Sequence, residues 1–218
     1  MPSTWISLDR GKARSVTRVI AGEAGGRRLA VPGGVSTRPT SDRAREGLFA
    51  SVLSELGSLA GKRVLDLYAG SGAVGLEALS RGASHVLLVE SDARAVAVIR
   101  ANIAAVGLAG AQARAAKVER LLAGPPEGGP YDFAFADPPY ALADAAVARV
   151  LGLLASGWLA PGALVVVERA TRSGEISWPD EFRLGKSRRY GEATFWYGHR
   201  AAVGNNGHAA TARGDDPP

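Results

Sequence analysis

The stretch Arg63-Val-Leu-Asp-Leu-Tyr-Ala-Gly-Ser-Gly-Ala-Val-Gly75 decides the fold. A short apolar run of strand character passes directly into glycines at the spacing G-x-G-x-x-G (Gly70, Gly72, Gly75), and those lead into a helix expected to reach Ser80. A strand that turns on glycines into a helix is the opening unit of an open parallel α/β sheet. There the missing side chains let a ligand approach the backbone at the helix start. The next apolar run, His85 to Glu90, ends in an acid twenty residues after Gly70.

Reading outward, strand and helix signals alternate. Asp92 can cap a helix running through Val106 to a Gly107 stop. A weaker strand at Ala111 to Ala115 and a short helix at Lys117 to Leu122 follow. A strand at Tyr131 to Ala136, a helix at Leu142 to Leu154 and a strand at Leu164 to Glu168 complete the series. That rhythm predicts a mostly parallel α/β sheet covered on both faces. It breaks after residue 170, where Phe182 to Tyr190 and Ala193 to His199 read as an antiparallel closing hairpin. Upstream, apolar runs on either side of Gly25-Gly26 predict a β-hairpin, and Ser41 or Asp42 caps a helix from Arg43 to about Leu56. The expected organisation is a disordered lead over 1–16, a basic hairpin and helix over 17–57, a catalytic domain over 58–200 and a disordered tail over 201–218.

Asp137-Pro-Pro-Tyr140 follows the strand at Tyr131 to Ala136 and so belongs at its carboxyl end, where open α/β sheets bind ligands. It brings together a carboxylate, proline carbonyls and an aromatic ring. These are the groups needed to hold a planar amine and stack the base that bears it. The glycines let a ligand approach the backbone, and Glu90, at the end of the second strand, can accept both ribose hydroxyls of an adenosine. That pairing suits NAD and S-adenosylmethionine alike. Asp66, late in the first strand, favours the second, because a carboxylate there suits a cationic amine better than a pyrophosphate.

The 218 residues are 46% hydrophobic, enough for a sizeable core, and lack cysteine, which excludes disulfides, thiolate nucleophiles and Cys-based zinc and fits a reducing cytosol. No apolar stretch is long enough to span a bilayer, and no metal site is indicated. Net charge is +5, unevenly spread. Residues 1–45 carry nine Lys/Arg against three Asp/Glu, a local excess of six, so the remainder holds a net −1. A basic front on a nearly neutral domain is the footprint of a nucleic-acid partner, with Arg27, Arg28, Arg38 and Arg43 as candidate phosphate contacts. Deletion of residues 1–45 is expected to remove RNA binding and to leave cofactor binding by the main domain largely intact, provided that domain stays folded. Val16 stands where an initiator methionine would be expected, and residues 1–15 are read as a dispensable extension or the product of an upstream start.

Three motifs together, Arg38-Pro-Thr-Ser-Asp-Arg-Ala-Arg-Glu46, Leu65 to Ala83 and Asp137 to Tyr140, resemble the RsmD family over about Arg18 to Tyr197. The resemblance implies a class I S-adenosylmethionine-dependent methyltransferase fold, Rossmann-like, acting in the cytoplasm on a guanine N2 of 16S rRNA in the small ribosomal subunit. It further implies that Asp66, Tyr68, Gly70, Ser71, Gly72 and Glu90 hold the cofactor. Asp137, Pro138 and Tyr140 would present the amine. Ala115-Ala116-Lys117 departs from related enzymes, many of which carry an acid there for the cofactor's adenine. Two other readings stand beside this one. A DNA adenine-N6 methyltransferase lacks a separate target-recognition domain here, and a nicotinamide-dependent dehydrogenase leaves Asp137 to Tyr140 unexplained. A non-catalytic RNA-binding module would leave the whole site without a purpose.

Overall fold

The computed structural model describes residues 16–33 and 41–202. The expectations for residues 1–15, for Arg38 and for the tail beyond 202 fall outside the described residues. The chain opens with a hairpin of β1 (Val16–Arg18) against β2 (Arg28–Ala30), followed by α1 (Asp42–Leu56), whose first turn is capped by Ser41 accepting from the Ala44 N–H at 3.2 Å. Then come β3 (Arg63–Leu67), α2 (Ala73–Ser80), β4 (His85–Glu90), α3 (Ala93–Val106), β5 (Ala111–Ala115), α4 (Val118–Leu122), β6 (Tyr131–Ala136), α5 (Asp144–Leu153), β7 (Leu159–Ala170), β8 (Phe182–Tyr190) and β9 (Ala193–Arg200).

The sheet order is β5-β4-β3-β6-β7-β9-β8. The first five strands are parallel neighbours, and β9 and β8 complete the sheet as the expected antiparallel hairpin. Alternate side chains feed two apolar layers. Val64, Val86, Leu88, Phe133 and Val166 pack with α1, α2 and α3, while Leu65, Leu87, Ala134, Val165 and Val167 pack with α4, α5 and Trp158. Burial on both faces is why these strands are apolar without interruption. Among the described residues no helix is long and apolar enough to cross a membrane.

The structure corrects the sequence reading at the front of the chain. The hairpin strands are only three residues long, because the segment between them leaves the ladder to dock on α2. The Glu77 carboxylate, fully buried, accepts from the Ile20 N–H at 2.6 Å and the Ala21 N–H at 3.1 Å, and Ser80 Oγ accepts from the Ala24 N–H at 2.9 Å. Val19, Leu29, Leu48, Phe49 and Val52 are fully buried in the same layer as Val64 and Val166. At about 1.5–3 kcal/mol for each large side chain buried, these residues make the front part of the core and not a removable arm. Arg45, counted with the basic front, is wholly buried and donates to Thr17 Oγ1, the Arg18 carbonyl and Asp42 Oδ1 at 2.7–2.8 Å. At the other end of the fold β7 starts five residues before the expected Leu164, since Leu159 pairs with Tyr131 across an irregularity at the Pro161-Gly162 step.

Candidate active site

The sheet's connections run outward from β3 through β4 to β5 on one side, and from β6 to β7 on the other. The carboxyl ends of β3 and β6 therefore flank the point where strand order reverses, the usual ligand crevice of an open α/β sheet. Both motifs singled out in the sequence end there.

On the β3 side, Tyr68 adopts φ 59, a left-handed conformation that costs a non-glycine residue roughly 1–2 kcal/mol. Its hydroxyl donates to Glu119 Oε1 at 3.2 Å, and burial together with that carboxylate pushes the phenol pKa up, so it stays a donor. Gly70 is also left-handed at φ 55, and a Cβ there would project into open space, leaving the backbone bare toward the crevice. Gly75 is needed for the opposite reason. A Cβ would sit 2.9 Å from Leu88 and Val86 methyl groups and 3.0 Å from Asp66 Oδ2. Asp66 itself, 2% exposed, accepts from the Gly75 N–H at 2.8 Å. Burial pushes its pKa up to about 8, opposed by that N–H and reinforced by Glu90. Asp66 thus grips the loop from beneath, by its backbone.

Glu90 closes the loop from the β4 side. Its Oε2 accepts from the Gly70 N–H at 3.0 Å, and its Oε1 from Ser91 and Asp92 N–H groups at 2.6 and 2.9 Å. The Ser91 hydroxyl adds a longer contact to Oε1 at 3.5 Å. With about two acceptor positions on each carboxylate oxygen, the capacity that remains lies on Oε2, beside Gly70. Asn102 on α3, 2% exposed, donates to the Ser71 and Ala30 carbonyls and accepts from the Ala30 N–H, all at 2.9 Å, so it ties the glycine loop to β2. The signal for it in the sequence is a lone amide in the apolar stripe Ile99, Asn102, Val106.

On the β6 side, the Asp137 N–H donates to the Leu67 carbonyl at 3.3 Å, which sets the start of the motif beside the glycine loop. Burial, then the Glu168 and Asp66 carboxylates, push the Asp137 pKa well above the ordinary carboxylate range. Glu168 is the residue that sequence reasoning passed over. Ala136 pairs with Val167, so the next positions are Asp137 and Glu168, and Glu168 is 4% exposed. Its signal was its place as the acid ending an apolar strand, the position Glu90 holds on β4. Pro138 is buried between Tyr68 and α5, whereas Tyr140 is 50% exposed. The segment after Tyr140 is fastened by Arg169, 3% exposed, which donates to the Leu142 carbonyl and Asp144 Oδ1 at 2.9 Å.

Tyr140 faces a cleft of about 430 Å³ whose other walls are Ala170, Thr171, Arg172, Arg189 and Glu192. Of the arginines expected to contact RNA, the described ones, Arg27, Arg28 and Arg43, do not line it. Arg27 donates to the Ala105 carbonyl at 2.7 Å, at the carboxyl end of α3, roughly 18 Å along that helix from its start beside Glu90. Arg28 is exposed on β2 and Arg43 on the first turn of α1.

A family model described as conserved hypothetical protein 95 matches residues 17–199. The chain belongs to this family. The ribosomal RNA small subunit methyltransferase D of Escherichia coli K12, the namesake of the RsmD family, is 34% identical over 193 residues, which make up 87% of this chain and 92% of that protein. The structure of a putative methyltransferase, yhhF, from Escherichia coli is 32% identical with a TM-score of 0.75, covering 86% of this chain and 99% of its own. A hypothetical protein from Thermus thermophilus is 36% identical at a TM-score of 0.68, over 86% of this chain and all of its own. The family's expected fold, a Rossmann-like methyltransferase sheet with an antiparallel end, is the fold found.

Proposed function

We propose that the protein transfers a methyl group from S-adenosylmethionine to the exocyclic N2 amine of a guanine in 16S rRNA of the small ribosomal subunit, in the cytoplasm where those subunits are assembled. The observation that carries this reading is the meeting of Asp137-Pro-Pro-Tyr140 with the glycine loop at the strand-order reversal. Family membership and the methyltransferase names of close relatives support it.

The residues present suit the cofactor. The bare backbone at Gly70 offers close approach, Ser71 and Gly72 open the helix start, Tyr68 walls the crevice, and Glu90 retains acceptor capacity for a ribose hydroxyl. Asp66 supports this cradle through Gly75 and is not required to touch the ligand. When bound, S-adenosylmethionine supplies an electrophilic methyl group on a sulfonium. The chain's own task is to ready the amine. A guanine N2 lone pair is delocalised into the ring, and acceptance of its two protons by the Asp137 carboxylate and the Pro138 carbonyl favours a pyramidal nitrogen. With its raised pKa, Asp137 is suited to receive a proton as the nitrogen becomes cationic. Tyr140 provides a face on which the extruded base can stack. Arg28 and Arg43, exposed outside the site, serve together with Arg38 as phosphate contacts.

Labelled S-adenosylmethionine incubated in parallel with 16S rRNA, small subunits and duplex DNA, followed by nucleoside analysis, tests the reading. N2-methylguanosine in the ribosomal substrates is the expected product. N6-methyladenine in the duplex, or no methylated nucleoside in any of them, would overturn it.

A further inference from the structure

We infer that the cleft beside Tyr140 is a nucleotide subsite in which Arg172 and Arg189 hold the phosphates flanking the target base. This rests on the methyl-transfer reading and adds to it the part of the chain that grips RNA at the point of reaction.

A volume of about 430 Å³ lies in the range of a small-ligand site and suits one extruded nucleotide, not a duplex. Tyr140 lines one wall, half exposed and next to Pro139 in the motif that presents the amine. Across from it stand two guanidinium groups and one carboxylate, Glu192, so the cleft carries a net positive charge where a nucleotide's charge is negative. The wall with the arginines is firmly built. The Thr171 N–H donates to the Glu192 carbonyl at 2.7 Å, the Thr171 and Thr194 hydroxyls lie 3.0 Å apart, and Arg189 Nε donates to the Gly191 carbonyl at 3.0 Å. Arg189 pairs with Thr194 and so lies on the sheet face opposite Phe195 and α1, the same face as Trp196 and α5. Among the described residues, the cations that line the site come from the end of β7 and the β8–β9 hairpin. Of the described residues at the chain's start, Arg27 is occupied at the far end of α3 and Arg45 is buried.

The test compares the full-length protein with Arg172→Glu/Arg189→Glu and with Arg172→Lys/Arg189→Lys. Each is assayed for methyl transfer to small-subunit RNA, for the salt dependence of RNA binding and for S-adenosylhomocysteine affinity. Charge reversal should raise KM for RNA tenfold or more and lower the slope of log K against log salt by about two, with S-adenosylhomocysteine affinity unchanged. The lysine pair should restore most of the slope. Arg172→Gln/Arg189→Gln replaces the reversal if the latter lowers the melting temperature. Unchanged KM and slope in an active wild-type background would overturn the phosphate grip and leave the methyl-transfer reading standing. A wild-type protein that neither binds nor methylates the RNA would overturn that reading itself, and the grip with it.

Discussion

Asp137 is a carboxylate whose neighbours oppose its charge, and that sets its pH behaviour. Because its pKa is raised, by burial first and then by Glu168 and Asp66, the ionised form proposed to accept amine protons is gained only above the ordinary carboxylate range. The kcat/KM for RNA should therefore climb with pH through the raised value before levelling, and Glu168→Gln should move that rise to lower pH. Asp137→Ala should cost at least about 100-fold in turnover and leave S-adenosylhomocysteine affinity within a few fold, measured by calorimetry beside a transfer assay. Glu90→Ala should instead weaken the ligand by about 1–3 kcal/mol. Equal loss of both properties in Asp137→Ala would mean the carboxylate serves the cofactor. Asp66 gives a stability counterpart. Between 3.8, its ordinary value, and about 8 in the fold, the folded chain keeps a proton that the unfolded chain has released. Stability therefore falls as pH rises across that window, by at most about 1.4 kcal/mol per pH unit. Asp66→Asn keeps an acceptor for Gly75 and removes the titration, so its melting temperature should gain on the wild type between about pH 5 and 8.

At the scale of elements, the β1–β2 hairpin is a brace for the glycine loop, through Asn102. Asn102→Ala strips partners from the Ala30 N–H and from the Ala30 and Ser71 carbonyls, and should destabilise the fold by about 2–3 kcal/mol. Hydrogen exchange at Gly72 to Val74 should quicken; unchanged exchange there would show that the loop is held without it. A lone amide in an apolar stripe marks Asn102, but local sequence does not name what it braces, since its partners lie 31 and 72 residues away. The elements that were legible owed it to local signals. β4, β5 and β6 have the bounds expected from the sequence, and α3 is bounded by Asp92 accepting from Arg94 and Ala95 N–H groups and by a left-handed Gly107. The beginning of β7 was illegible because Pro161-Gly162 reads as a loop and only pairing with Tyr131 extends the strand past it. Within the site, the glycines and Asp137 to Tyr140 stood out by spacing. Glu168 and Arg189 matter through neighbours on other strands, which no local pattern encodes.

For the molecule as a whole, the charge excess of the first 45 residues is real, and its inferred independence is not. Removal of residues 1–15 should leave melting temperature and methyl transfer unchanged, since the family match begins at residue 17. Removal of 1–45 uncovers α2 and takes Val19, Leu29 and Arg45 from the core, so it should abolish cooperative unfolding, as followed by circular dichroism. The docking of this hairpin also fixes an order of events during synthesis. Ile20 finds its partner at Glu77 and Ala30 at Asn102. At roughly 5–20 residues per second, a ribosome takes about 4–16 s between making residue 20 and residue 102. For most of that interval the first segment has been translated before α2 is made, and its last partner, Asn102, arrives only at the end. Its makeup suits the wait, because Arg18, Glu23, Arg27 and Arg28 alternate with glycines around a few small apolar residues. The nascent chain thus carries its own solubilising charge until the helices that will cover Val19 and Leu29 have left the ribosome.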